Sequence, residues 1–496
     1  MFNPPERSQR TTFFAFLLPA CLLLSGLGSA APTITLSKKS GPPTSQILVS
    51  GAGFGSDVGV DIFFGTQDKA LVVTNGKGEF HDQPIYAPRS AQPGEHWITA
   101  LERNNDKGAQ EQFLVQTDWR QFHFEADGTR LNRYENVLNP KTVGDLQLRW
   151  TFSTGFSGLA SSAAVVDGVV YIGGYYSWTF YALNAYTGAP LWGYDTDGLV
   201  ISSPAVEKGL VYFGSGSNNV YASRADTGAV VWIHAANGPV YPSPVVVDGS
   251  VFMGSYDQQN IFALNASTGA LLWSVTADGP VYSSPAVANG VVYIGSEYPG
   301  TSLFALNAKT GASLWTYTLG ESGMDSSPAI SNGVVYVSAG NLYALDASTG
   351  ALLWSYAIGG TVSSPAVADG VVYVGGNSIY ALDANTGALR WSYAIQGGVL
   401  SSPAVANGVV YVGGYDYNVY ALDARTGAKL WSYRTNNAIY SSPTVANGMV
   451  YTGSDDGNVY AFGLPRASGA KQATAPKRSD PKTLRPDFRL KPSARR

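Results

Sequence analysis

From about residue 145 onward, apolar and polar positions fall into short runs that return in one order. A small-residue run, Ser-Ser-Pro-Ala-Val, leads to an Asn/Asp-Gly pair and then to Val-Val-Tyr-Val-Gly-Gly. Tyr-Ala-Leu-Asp-Ala and Thr-Gly-Ala-Leu-Leu-Trp complete the unit. Short β-branched and aromatic runs bounded by turn residues predict strands, four to a unit. The pairs Asp167-Gly168, Asp248-Gly249, Asn289-Gly290, Asn332-Gly333, Asp369-Gly370, Asn407-Gly408 and Asn447-Gly448 suit the positive φ of a type I′ hairpin. One copy departs, with Lys208-Gly209.

The third position of the opening run falls at Ala163, Pro204, Pro244, Pro285, Pro328, Pro365, Pro403 and Pro443. These are eight copies spanning 280 residues in seven steps, a mean period of 40. Four antiparallel strands repeated at that period predict an all-β fold, an eight-bladed β-propeller of four-stranded blades. Ser and Ala in the first strand suit strands crowding an axis, and its Pro suits an innermost edge without a ladder partner. The last copy stops at Leu464 with no Thr-Gly and no Trp. Residues 146–150 are therefore expected to supply its fourth strand, so that the N-terminal strand closes the ring and removes a free edge. The fourth-strand tryptophans then number eight: Trp150, Trp192, Trp232, Trp273, Trp315, Trp354, Trp391 and Trp431. Their regular recurrence reads as structural docking between blades.

Residues 32–117 have a different texture. Val58, Val60, Ile62 and Phe64 alternate with Gly59, Asp61 and Phe63, and Gly41-Pro42-Pro43, Asn75-Gly76 and Pro93-Gly94 mark turns. A small β-sandwich is expected here. Residues 118–144 read as a bridge, 145–464 as the propeller, and 465–496 as a disordered basic tail poor in apolar residues. Residues 1–30 read as a signal peptide. Arg7 and Arg10 precede an apolar stretch from Thr11 to Leu27, and Gly28-Ser29-Ala30 offers a cleavage site. That stretch is short and broken by Pro19, so no stable membrane span is expected. Cys21, the one cysteine, lies in this leader, so no disulfide chemistry is expected of the mature chain. Pro19 and Leu22-Leu23-Leu24 around it disfavour lipid attachment. The expected location is the periplasm, cell surface or extracellular space.

Charge separates these parts. Residues 145–464 carry 8 Lys/Arg and 19 Asp/Glu, whereas residues 465–496 carry 10 Lys/Arg and 2 Asp. An acidic body excludes nucleic acid as its ligand.

Residues 344–354, Ala-Leu-Asp-Ala-Ser-Thr-Gly-Ala-Leu-Leu-Trp, resemble the tryptophan-docking motif of PQQ-binding-like (quinoprotein-type) β-propellers. Near-copies begin at Ala182, Ala222, Ala263, Ala305, Ala381 and Ala421. Residues 118–139 resemble the run preceding the first blade in that family. Residues 49–55, Val-Ser-Gly-Ala-Gly-Phe-Gly, resemble the start of an IPT/TIG-type immunoglobulin-like domain. The first resemblance implies either a dehydrogenase holding PQQ and a metal ion over the axis, or a non-catalytic propeller. In the dehydrogenases an Asp base, an adjacent-cysteine disulfide and long insertions shape the site. Here no cysteine follows Cys21 and the copies lie 37 to 43 residues apart, so no residue carries over into a PQQ, metal or catalytic role.

The residues that do not repeat carry the candidate chemistry. Loops between second and third strands hold Tyr175, Tyr176 and Trp178; Tyr256 and Asp257; Glu297 and Tyr298; Tyr415, Asp416 and Tyr417; Asp455 and Asp456. Tyr241, Tyr282, Asp325 and Tyr440 precede first strands. Both sets of loops should emerge on one face, where aromatic and carboxylate groups suit a protein or glycan partner. The expected function is a secreted, non-catalytic binding or scaffold protein of the cell envelope, with no cofactor. Its fold-level analogue is the scaffold lipoprotein of the outer-membrane β-barrel assembly machinery. The alternative is a PQQ-dependent dehydrogenase oxidising alcohols or sugars, with Ca²⁺. The sequence leaves the oligomeric state unknown.

Overall fold

The computed structural model describes residues 31–105, 107–320, 324–359 and 363–465. The expected signal peptide and nearly all of the basic tail lie outside them. The chain divides into two compact units, one of Met1–Ser37, Leu48–Ile85 and Trp97–Glu111, the other of Lys38–Ile47, Tyr86–His96 and Gln112–Arg496. Among the described residues no helix is long and apolar enough to cross a membrane.

The N-terminal strands form two sheets. Thr33–Leu36, Gln46–Ala52 and Phe80–Tyr86 make one; Ser40–Gly41, Gly108–Val115, Gly94–Glu102, Gly59–Phe64 and Gln67–Val73 make the other, in that order. Along Gly59–Phe64, Val60, Ile62 and Phe64 are buried while the residues between them are half-exposed. This is the period-2 pattern of a strand with one core face.

From residue 145 the chain is a β-propeller. Among the described residues it builds eight four-stranded antiparallel sets in succession, one of them extended by Leu131–Asn132 as a fifth, parallel strand. The first is Ala164–Val166, Val169–Gly173, Thr179–Asn184 and Pro190–Asp195. The last is Thr444–Ala446, Met449–Gly453 and Asn458–Gly463, with Gln147–Ser153 paired antiparallel to Asn458–Gly463 as the fourth strand. First and second strands turn through Asx-Gly pairs with positive φ at both positions, as at Asp167 (49°) and Gly168 (72°). Lys208 adopts φ 48° in the same turn. A β-carbon with an unbranched aliphatic stem tolerates that region less well than Asn. Lys208→Asn should therefore stabilise the fold by about 0.5–1 kcal/mol in chemical denaturation.

Two rings of hydrogen bonds join the sets. The tryptophans form the outer one. Each indole Nε1 donates to a backbone carbonyl of the following set: Trp150 to Ala185, Trp192 to Ala225, Trp232 to Ala266, Trp273 to Ala308, Trp315 to Ala347, Trp354 to Ala384, Trp391 to Ala424, and Trp431 to Leu146. The ring plane lies so close to the next Thr-Gly turn that a β-carbon on Gly350 would sit 2.7 Å from Trp315. Glycine is thus required there by contact as well as by its φ of 74°.

The inner ring is made by the second serine of the opening run. The backbone N–H of Ser162 donates to Ser203 Oγ, Ser203 to Ser243, Ser243 to Ser284, Ser284 to Ser327, Ser327 to Ser364, Ser364 to Ser402, Ser402 to Ser442, and Ser442 back to Ser162, all at 2.8–3.0 Å. Serine is therefore present there for its acceptor oxygen as well as for its size. A buried N–H on an inner edge needs an acceptor, and this one comes from the next set.

The inner edges do have partners, which corrects the expectation drawn from their prolines. The segment expected to be a bridge runs across all eight first strands. Trp119 exchanges backbone hydrogen bonds with Val165. Val206, Val287, Ile330, Val367 and Val405 donate to the carbonyls of Arg120, Ala126, Asp127, Thr129 and Arg130. Val246 donates to Gln121 Oε1, and Asn132 Nδ2 donates to the Val445 carbonyl. Leu131–Asn132 also pairs in parallel with Val405 and Ala406. These contacts lie at the Asx-Gly end of the first strands, so the segment plugs that end of the axis.

Candidate functional site

With the axis plugged at one end, the open end is defined by two kinds of loop. The backbone N–H groups of Tyr256, Glu297, Tyr415 and Asp455, in second-to-third-strand loops, donate to the carbonyls of Pro239, Pro280, Gly398 and Ala438 in the connections entering the same sets. The two kinds of loop are thereby bonded to each other around the mouth.

Three tyrosines form one side of this mouth. Tyr241, Tyr256 and Tyr282 are mutually adjacent, with ring centroids 5.6, 5.7 and 6.2 Å apart and planes inclined by 48–84°. Tilted and edge-on contacts of this kind satisfy the ring quadrupoles and leave outer ring faces free. Beside them the Glu297 carboxyl is hydrogen-bonded to Asp325. Burial, followed by that hydrogen bond and the Asp325 charge, raises Glu297 from the usual carboxylate range to about 8. A second carboxyl this close disfavours the charged form of Glu297, which therefore keeps its proton near neutral pH. The Glu297 charge in turn raises the Tyr256 hydroxyl, with burial and Asp325 adding to it. Tyr282 is raised chiefly by burial, then by Asp325, Tyr175 and Glu297.

The other side of the mouth belongs to Tyr175, Tyr176, Tyr415, Tyr440 and Asp455. Tyr175 and Tyr176 meet edge to face at 4.3 Å, and Tyr415 and Tyr440 at 6.2 Å. Tyr175 is raised by burial and by the nearby Tyr176, Tyr241 and Asp455; Tyr440 by burial, Tyr415 and Asp455. Burial raises Asp455 itself. Tyr175 thus lies within electrostatic reach of Tyr241 on one side and Asp455 on the other.

The remaining candidates are placed differently. Asp416 accepts from Tyr420 Oη at 2.5 Å, and Asp456 accepts from Tyr460 Oη at 2.7 Å and from the Asn436 N–H. These two carboxylates hold their own loops and are not free for a ligand. Tyr417 is covered by the Arg434 guanidinium, 5.3 Å from its ring centroid. Trp178 and Tyr298 are exposed, and Asp257 sits on the rim near Tyr241 and Tyr256. An Asp four residues before a third-strand Tyr was the signal separating structural from available carboxylates.

Two features were missed in the sequence. Asp278 accepts from Ser296 Oγ (2.5 Å) and Ser302 Oγ (2.6 Å), fixing the loop that presents Glu297. Arg130, wholly buried in the plug, donates to the carbonyls of Phe122, Pro403 and Pro443 and lies over the Trp119 and Phe122 rings. Nothing in the spacing of the plug marks that arginine, because two of its three acceptors lie more than 270 residues away.

Among the described residues no three His, Asp or Glu side chains converge on a point that could hold a metal ion. The mouth offers one carboxyl pair and a set of tyrosines that pack on one another. The ligand set implied by the resemblance to quinoproteins has no counterpart there, and no step through PQQ is derived.

A family model described as outer membrane protein assembly factor BamB (PQQ_2) matches residues 141–243, 217–364, 299–394 and 358–483. No curated protein sequence matches the chain. Among solved structures, quinohemoprotein alcohol dehydrogenase from Comamonas testosteroni superposes with a TM-score of 0.62 at 17% identity, over 72% of this chain and 82% of that one. A europium-containing methanol dehydrogenase gives 0.62 at 17% identity, over 70% and 98%. BamB from Moraxella catarrhalis gives 0.56 at 20% identity, over 64% and 100%. At these identities the likeness is one of fold, shared by an assembly factor and by dehydrogenases.

Proposed function

The chain belongs to the PQQ_2 family of BamB-like repeat propellers, and from that premise we propose a non-catalytic binding or scaffold protein of the cell envelope. Its eight four-stranded sets are the blades of an eight-bladed propeller at residues 145–464. Residues 32–117 form an immunoglobulin-like sandwich, and residues 1–30 direct export. The plug closes one end of the axis, and the mouth at the other end takes a protein partner.

One observation carries this reading: Tyr241, Tyr256 and Tyr282 form a connected aromatic surface beside the Glu297–Asp325 pair. Tyrosines give a large contact area at low entropic cost and recur as anchors of protein interfaces. The family description as an assembly factor supports a protein as the partner.

The rival reading, a PQQ-dependent dehydrogenase, draws on Glu297. A carboxyl raised to about 8 at a channel mouth is suited to general-base work. Two measurements separate the readings. Purified protein titrated with PQQ and Ca²⁺ should show no stoichiometric binding and no dye-linked alcohol or sugar oxidation; turnover would overturn the scaffold reading. A photoreactive phenylalanine at Tyr256, introduced in cells, should give a discrete protein cross-link. The same group at Leu352, exposed on a fourth strand, should not.

A further inference from the structure

Sorting charged residues by the ends of the strands shows that the cations are distributed unevenly. Among the described residues, the loops at the open end contain eight carboxylates, at Asp197, Asp257, Asp278, Glu297, Asp325, Asp416, Asp455 and Asp456, and no Lys or Arg. The one cation beside them is Arg434, at the end of the strand Lys429–Arg434, and it already lies over a tyrosine ring. At the opposite end the turns carry both signs, Lys208, Lys309 and Arg425 together with Asp167, Asp226, Asp248 and Asp369. The mouth therefore combines carboxylates that lack a cationic partner in its loops with tyrosine side chains, although Asp278, Asp416 and Asp456 are engaged by hydroxyl groups of their own loops and strands. Arginine and lysine are the groups that gain from both, through charge-assisted hydrogen bonds and cation–π contact.

A matching cationic sequence belongs to the chain itself. Residues 466–496 carry 10 Lys/Arg and 2 Asp, with Phe488 as their one aromatic. They follow directly on Leu464 and Pro465, past the strand Asn458–Gly463. That point lies at the plugged end, about 20 Å below the mouth for a six-residue strand. Thirty-one residues can extend to about 100 Å, so the segment can round the outside of one set and reach the mouth.

We propose that residues 466–496 dock in cis on the tyrosine–carboxyl mouth and occupy it until a partner displaces them. The inference rests on the reading of the mouth as a binding face and adds an occupant of stated chemistry. Tethering raises the local concentration of the segment to about the millimolar range, so even a weak contact holds the site.

The test uses the full-length chain in two forms, the parent and a variant with the ten Lys/Arg of residues 466–496 changed to Gln. The probe is a fluorescent synthetic peptide of residues 466–496. The neutralised chain should bind it about tenfold more tightly than the parent, whose own segment competes. Affinity for the neutralised chain should fall about tenfold between 50 and 300 mM salt, because the contact is mainly between charges. Glu297→Gln with Asp325→Asn, placed in the neutralised chain, should weaken the peptide by about tenfold. Equal affinity of parent and neutralised chains, or no effect of the double substitution, would overturn the proposal. If the cross-link at Tyr256 still captures a partner under that result, the binding-face reading stands and the docking of this segment alone fails. Loss of both would remove the two together.

Discussion

Arg130→Met should destabilise the fold by about 2–4 kcal/mol and loosen the plug before the sets themselves unfold. Burial pushes the guanidinium down to about 9, so it remains charged at neutral pH and donates from all three of its nitrogens. Methionine fills much of the volume and removes a buried charge, which is a gain. It also leaves the carbonyls of Phe122, Pro403 and Pro443 without their donor, at about 1–3 kcal/mol for each one that water cannot reach. The losses outweigh the gain because the acceptors lie on two different sets and cannot close up on one another. Arg130→Lys keeps the charge but not the planar fork, and should retain less than half of the stability. Hydrogen exchange distinguishes plug from body. In Arg130→Met the amides of Val206, Val287, Ile330, Val367 and Val405, all bonded to the plug, should exchange faster than second-strand amides. Uniform acceleration would mean that the plug has no separate opening.

The plug also shows where reading the sequence stops. Elements made by neighbours along the chain were legible: the four-strand unit, the Asx-Gly turns, and the fourth strand borrowed from residues 147–153, announced by a copy ending without its Trp. The serine belt was visible as an invariant position but was explained by size. Its true reason, an Oγ accepting from the preceding set, lies about 40 residues away and has no local signature. The contacts of Arg130 lie further still. At the mouth, the loops and their residue types were legible, because tyrosines and carboxylates interrupt a regular repeat. Asp416 and Asp456 are committed to third-strand tyrosines four residues on, a spacing visible in the sequence, whereas the approach of Glu297 to Asp325, between different loops, is visible only in the fold. The same repeat that made the fold easy to read is shared by an assembly factor and by dehydrogenases, so function had to be sought in what does not repeat.

At pH 9, Glu297→Gln should be more stable than the parent chain by about 1–2 kcal/mol, whereas at pH 5 the two should be nearly alike. Glu297 is raised to about 8 by burial and by Asp325, and the unfolded chain has nothing to raise it. Between about 4.5 and 8 the folded state therefore holds a proton that the unfolded state has released, and stability falls as pH rises through that window. Above about 8 both states are ionised and the full cost is present; below about 4.5 both are protonated and there is none. The whole shift would correspond to about 5 kcal/mol at about 1.4 kcal/mol per pH unit. Because the carboxyl is half-exposed, water and counter-ions screen much of it, leaving the smaller figure. Glutamine removes the charge and still offers an N–H to Asp325, so it replaces the proton that Glu297 otherwise carries. Asp325→Asn should narrow the same window, since it removes the neighbouring charge that helps to raise Glu297. Urea midpoints at half-unit steps from pH 5 to 9 give the comparison, and parallel profiles for parent and Glu297→Gln would place the titrating group elsewhere. A carboxyl pair kept at the mouth against this cost is not required by the blade motif, which no other set fills in this way. Such a cost is what a site for cations would carry in its empty state, and a bound lysine or arginine would relieve it by taking the place of the Glu297 proton.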